Sequence, residues 1–213
     1  MGNLPAYHRS FMHSELIPIA LTSYGFFALN SHKLKSIDEQ IHEEVWTEHP
    51  HNPKHFDDII QYVPAWSVYG LRAFGIPGKH DVWTGTKLYL LSSLFMMTVV
   101  QSTKGITGLS RPDGHGHNTF PSGHTSTAFV AAEFLNQEYK DRSPWYGIAG
   151  YTIATVVGYM RIYNNRHWFK DCVSGAGIGI GMTKLTYWAY PKVMRFLDSR
   201  LGHHHSLGST RNY

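Results

Sequence analysis

A single cysteine, Cys172, stands in 213 residues, which excludes an intrachain disulfide and any cysteine-rich metal site. It reads as a small packed residue. Charge is scarce too: Asp, Glu, Lys and Arg make up 16% of the chain, against roughly 25% in average soluble proteins. The formal net charge is +4, with a pI of about 9.1 and no block of Lys or Arg. That mild excess suits an anionic substrate and does not make a nucleic-acid-binding stripe. Long apolar runs are also missing. A membrane span needs about 18 or more predominantly apolar residues. The uncharged stretch 143–160 is interrupted by Pro144, Tyr146, Tyr151, Thr152, Thr155 and Tyr159, and the more apolar stretch 88–103 is shorter. A mean hydropathy of -0.28 is ordinary for a soluble protein. Segment 16–29 follows His8 and Arg9 in the manner of a signal peptide, but Pro18 and Tyr24 interrupt it and no Ala-x-Ala site follows. It reads as a helix of the mature protein.

What the chain does have is apolar residues at helical spacing almost throughout, divided by helix start and stop signals and without internal repeats. The fold class expected is all-α: a multi-helix bundle in one domain over residues 1–201, with accessory helices in 1–50 and a catalytic core over about 52–190. Residues 202–213, including His203, His204 and His205, are expected to form a disordered tail with adventitious metal affinity. Within the core, Ser36 to Glu39 has the form of a capping box, followed by a short amphipathic helix. Asn52-Pro53 opens a helix that Pro64 should kink and Gly75-Ile-Pro-Gly78 should end. Asp57 and Asp58 near its start read as carboxylates complementing the helix dipole rather than as acid–base groups. Thr84 or Thr86 begins a helix leading to Lys104, a second spans about 125–139, and Ser143-Pro144 starts a third that delivers Arg161. The last long helix begins near Asp171 and carries Gly175, Gly177, Gly179 and Gly181, whose spacing implies close approach to a neighbour. Pro191 should interrupt it before a short terminal helix.

Three clusters carry the chemistry: Lys104-Gly-Ile-Thr-Gly-Leu-Ser-Arg111-Pro112, Pro121-Ser122-Gly123-His124, and Arg161-Ile-Tyr-Asn-Asn-Arg-His167-Trp-Phe-Lys-Asp171. Each is a weak signal alone. Together they supply what a phosphoryl group in flight requires, namely positive groups and N–H donors around its equatorial oxygens. Lys104 is a point charge, whereas Arg111 and Arg161 present planar forks to two oxygens. Ser122 adds a hydroxyl, Gly123 an unobstructed N–H, and the following helix a favourable dipole. His167 and Asp171 lie one helical turn apart, so the carboxylate can orient the ring, which selects His167 as nucleophile. His124, without a carboxylate at comparable spacing, is then the general acid. Each cluster falls at a helix end, which should gather the site at one end of the bundle. His115 and His117, in the loop between the first two clusters, are only two and do not make a specific metal site.

The pattern Lys104-x6-Arg111-Pro112, Pro121-Ser122-Gly123-His124 and Arg161-x5-His167-x3-Asp171 resembles the signature of the type 2 phosphatidic acid phosphatase superfamily. That group includes class A nonspecific acid phosphatases, membrane lipid-phosphate phosphatases and vanadium-dependent haloperoxidases. The resemblance implies a helical-bundle core and a metal-independent hydrolysis through a phosphohistidine on His167, with leaving-group protonation by His124. It further implies phosphate binding by Lys104, Arg111, Ser122, Gly123 and Arg161, and support of His167 by Asp171. One departure is visible: Met160 stands where the family usually has Ser. The expected activity is hydrolysis of phosphate monoesters, soluble or lipid-borne, or of isoprenoid diphosphates. The expected place is the extracytoplasmic side of the cell envelope, soluble or peripheral in preference to integral. No cofactor and no nucleic-acid partner is expected, membrane association is left open, and vanadate should inhibit. The alternatives are a haloperoxidase with vanadate as cofactor and a non-catalytic phosphate- or lipid-binding module.

Overall fold

The structure, a computed structural model, describes residues 6–206, with side chains over 15–200. Among the described residues the secondary structure is helical: α1 (Ala6–Ala28), α2 (His32–His42) running into a π-helical turn (Glu43–Thr47), α3 (Asp57–Ile60), α4 (Val63–Ala73), α5 (Val82–Thr107), α6 (Gly123–Tyr139), α7 (Pro144–Tyr163) and α8 (Phe169–Ser206). Short polar residues start them by accepting first-turn N–H groups that would otherwise lack partners. Ser31, Asp81, Ser122 and Ser143 do so for α2, α5, α6 and α7. Gly108 closes α5 at φ +54°, a left-handed conformation that a side chain resists.

Several boundaries differ from those read in the sequence. Ser36 lies inside α2, its hydroxyl donating to the Lys33 carbonyl at 2.8 Å, because Ser31 takes the cap. The helix expected from Asn52-Pro53 begins only at Asp57, and Pro64 does not kink it. The helix ends at Ile60 and restarts at Val63, so Pro64 occupies the first turn of α4, where a missing N–H costs nothing. Asp81, rather than Thr84 or Thr86, starts α5. Pro191 does not interrupt α8, which continues through it to Ser206. The separate terminal helix and the first residues of the expected tail thus belong to α8; residues 207–213 lie outside the described residues.

Helix α6 is the centre of the bundle and contributes to three apolar clusters. Ala131, Phe134, Leu135 and Tyr139 meet Ala65 and Val68 of α4. Val130 meets Met96 and Val100 of α5 and Ile178 of α8. Ala128 and Ala132 meet Ala154 and Val157 of α7. A helix surrounded on all sides must be apolar or internally paired. Its buried Glu138 accordingly accepts from Arg72 at 2.8 Å, His80 Nδ1 at 2.8 Å and the Tyr187 hydroxyl at 2.7 Å.

The glycines of α8 alternate between two neighbours. A Cβ on Gly175 would meet the Ser122 carbonyl oxygen at 2.7 Å, and one on Gly179 the Ser126 carbonyl oxygen at 2.5 Å, both on the α6 side. A Cβ on Gly177 would meet the Pro18 carbonyl oxygen of α1 at 2.6 Å. Alanine improves helix propensity by about 1 kcal/mol, but the atoms it would meet are backbone and cannot turn away. Gly179→Ala should therefore lower unfolding stability by about 1–3 kcal/mol in urea denaturation; a neutral or stabilising result would contradict this packing.

Candidate active site

The buried carboxylate of Asp171, in the first turn of α8, gathers groups from three segments. Its Oδ2 accepts from the Trp168 backbone N–H at 3.0 Å and from the Thr119 hydroxyl, and lies 3.4 Å from His167 Nδ1. Its backbone carbonyl accepts the Ser122 N–H at 3.0 Å, which fixes the start of α6 against the start of α8. The Thr119 oxygen is also 3.2 Å from His167 Nδ1. Thr119 gives its proton to a carboxylate, which can only accept. Nδ1, facing that carboxylate and the hydroxyl's lone pair, therefore carries the imidazole hydrogen. Nε2 is then the nitrogen with a lone pair. Burial is the main reason that the His167 pKa is pushed down to about 4, so that the ring takes a second proton only below that pH. Asp171 opposes this effect, while the charges of Lys104 and Arg161 add to it.

Three cations reach the same end of the bundle. Lys104, in the last turn of α5, donates through Nζ to the Asn118 carbonyl and at 3.4 Å to that of Thr119. Burial, and secondarily Arg111, lower its pKa to about 8. Arg111 donates from Nε to Asn118 Oδ1 at 3.1 Å. Asn118 thus ties the two cations of the first cluster to the loop that follows them. The intervening loop folds on itself through Thr119 N–H to Leu109 carbonyl at 3.1 Å, and Arg166 holds it through Asp113 at 3.0 Å. Arg161, at the end of α7, donates from Nη1 to the fully buried Asp57 at 2.6 Å. Its buried Nε has no hydrogen-bond partner among the described residues.

Ser122 is occupied as the N-cap of α6: its Oγ accepts from the Thr125 hydroxyl at 2.9 Å and more weakly from the Thr125 N–H. Its own proton remains available to donate. Gly123 opens α6, and the position a Cβ would take there meets open space. All eight residues expected from the sequence thus converge around the junction of α5, α6, α7 and α8. Met160 is buried in α7. His115 is exposed and bonds within its own loop to Asp113, and His117 bonds to Ser110 at 2.9 Å. Among the described residues no group of three or more His, Cys, Asp or Glu could hold a metal ion.

Two expectations are corrected. His124 does have a carboxylate: Asp58 Oδ1 is 2.8 Å from its Nε2. The pair Asp57–Asp58 is therefore more than a complement to a helix dipole, since Asp57 anchors Arg161 and Asp58 faces both His124 and, at 3.8 Å, Arg161 Nη1. Helix α3 has only four residues and little dipole to complement. Burial and Arg161 pull the His124 pKa below its usual value, against the pull of Asp58 and Asp57. Sequence reading also missed Thr119, Asn118 and Asn164. Asn164 clasps the Lys54 backbone through both N–H and carbonyl, at 2.8 and 2.7 Å. Nothing in their spacing marks them; only the paired acids gave a visible signal.

A helical bundle with this three-part site defines a class. A family model, the PAP2 superfamily, matches residues 50–195, and the chain belongs to that superfamily. In particular, it is 39% identical over 162 residues to a lipid A 1-phosphatase of Porphyromonas gingivalis, an alignment covering 75% of this chain but 36% of that protein. The chain thus spans little more than a third of that relative's length. Its fold is similar to that of a transmembrane PAP2-type phosphatidylglycerolphosphate phosphatase from Bacillus subtilis, with TM-score 0.60 and 23% identity over 84% of this chain and 98% of the other. It is also similar to LpxE of Aquifex aeolicus, with TM-score 0.53 and 21% identity over 71% and 94% of the two chains.

The hydrogen-bond network makes a spectroscopic prediction. In nitrogen-15 NMR, His167 should remain the neutral Nδ1–H tautomer down to about pH 4. Because the unfolded chain takes up this proton near pH 6.5, the group should destabilise the fold progressively as pH falls from 6.5 toward 4. Titration near 6.5, or an Nε2–H tautomer, would contradict the arrangement.

Proposed function

We propose that this chain is a phosphatase that hydrolyses phosphate monoesters borne on lipids, through a covalent intermediate on His167. The observation that carries the reading is the state of His167: Nδ1 is tied to Asp171 and Thr119, Nε2 keeps its lone pair, and the charges of Lys104 and Arg161 act on the same ring. Nucleophile and anion-binding groups are thereby joined in one place.

In the first step Nε2 attacks phosphorus, the N–P bond forms and the ester P–O bond breaks. The departing oxygen takes the proton from His124 Nε2. Lys104, Arg111 and Arg161 balance the charge on the equatorial oxygens, with the Gly123 N–H and the Ser122 hydroxyl as further donors. As His167 gains positive charge, the Asp171 carboxylate stabilises it. In the second step His124, now neutral, takes a proton from water, which attacks phosphorus; the N–P bond breaks and inorganic phosphate leaves. Vanadate, an oxyanion of similar shape, acts as an inhibitor, and the chain's own residues carry both steps.

The lipid part of the reading rests on the surface and on the relatives' activities. Phe27, Phe74, Trp83, Ile106 and Trp145 are each more than 70% exposed, and Ile106 follows Lys104 by two residues in the last turn of α5. They stand near helix ends, with Trp83 and Ile106 at opposite ends of α5, where exposed aromatic and apolar side chains suit a lipid–water boundary. No described helix is long and apolar enough to cross a membrane. The protein works at the cell envelope with this surface against lipid.

The test is phosphate release, in chelator, from a phosphorylated lipid in detergent micelles and from p-nitrophenyl phosphate. Wild-type protein should release phosphate, His167→Ala should fall to background, and His124→Ala should lower kcat by about 10²–10⁴-fold. The kcat/KM profile should rise with pH as His167 loses its proton and fall as His124 loses its own. No release from either ester, or full activity in His167→Ala, would overturn the reading.

A further inference from the structure

Two adjacent acids at α3 have divided their work. Asp57 is fully buried and fixed, accepting from Arg161 Nη1 at 2.6 Å and from Asn164 Nδ2 at 3.3 Å. Around it the chain is clamped to the end of α7: Asn164 holds both polar groups of the Lys54 backbone, and His51 bonds to the Tyr163 carbonyl at 2.7 Å. The next residue, Asp58, is placed by that clamp but is not itself confined. Its side chain is 49% exposed, and its carboxylate is 2.8 Å from His124 Nε2 and 3.8 Å from Arg161 Nη1.

These two contacts are with a proton donor and a cation that a phosphoester would engage. We infer that Asp58 is an internal anion competing with substrate: its carboxylate holds His124 in place with the proton on Nε2, and an incoming phosphoester must displace it to reach the same nitrogen and Arg161. The inference rests on the phosphatase reading for the identity of the competitor. An ion pair this exposed is weakly held and can be displaced, whereas the buried pair of Asp57 with Arg161 cannot be broken cheaply. Asp58 is thus a positioning residue acting through His124, with a cost in anion affinity. The charged groups facing His124 are Asp58 and Asp57 from α3 and Arg161 from α7. The two acids favour its charged form, and removing Asp58 leaves Arg161 opposed by Asp57 alone.

Asp58→Asn, compared with wild type and Asp58→Glu, tests this. Calorimetric titration with inorganic phosphate and with vanadate should show about fivefold tighter binding in Asp58→Asn at low salt, the effect of removing one like charge about 4 Å away in water. The difference should shrink at high salt, and Asp58→Glu should bind as wild type does. In the Asn variant KM should fall while the high-pH limb of the rate profile moves to lower pH, and NMR should show His124 losing its proton at lower pH. Unchanged or weaker anion binding, or a His124 titration that does not move, overturns the proposal. If Asp58→Asn binds phosphate more tightly but wild-type protein hydrolyses no ester, the role of Asp58 stands and the phosphatase reading fails. If hydrolysis is robust and anion affinity is unaltered, the reverse holds; binding by neither protein overturns both.

Discussion

The carboxylate of Asp171 is the constraint on which the site depends. It is buried, so as an anion it needs donors close by, and it finds them in the Trp168 N–H and the Thr119 hydroxyl, with His167 Nδ1 alongside. Its own backbone carbonyl takes the Ser122 N–H. One residue therefore orients the His167 ring, anchors the end of the loop between the first two clusters and sets the start of α6. The dependence runs both ways, since unmet donors and a buried charge are each expensive.

The N-terminal helices contribute by holding the residue beside it. Lys170 donates to Asp38 of α2 from both its backbone N–H, at 2.9 Å, and its Nζ, at 2.7 Å. Burial raises the Asp38 pKa, and the lysine counters that effect only in part. His42, also on α2, bonds at 2.8 Å to Asn165, which sits at φ +58° in the turn between α7 and α8. Helix α2 thus braces the turn that carries His167. On the other side, Asp57 and Asn164 brace the end of α7 that carries Arg161.

Much of this was legible in the sequence because its signals are local. Helical periodicity identified the all-α class, Ser143-Pro144 marked the start of α7 to the residue, and the three clusters named eight residues that the fold brings together. The failures at the site share one physical origin, which is that partners distant in sequence decide them. Asp58 is 66 positions from His124, so no spacing rule connects them, and the acids were assigned to a helix too short to have needed them. Thr119 became the bridge between His167 and Asp171 only through the folding of the loop before α6. Pro191 was read by its local cost, but a single missing hydrogen bond did not outweigh the continuity of α8 around it.

The glycine face of α8 extends the site beyond its chemically active residues. Gly175 has no reactive group, yet its missing side chain is what allows the Ser122 backbone to lie where it does, with 2.7 Å between that carbonyl oxygen and the place a Cβ would occupy. A side chain there would act only by displacing that backbone, and no chemical rescue would restore the lost space. The boundary between machinery and scaffold in this protein is therefore one of distance tolerance, with the tightest tolerances falling on atoms that are absent.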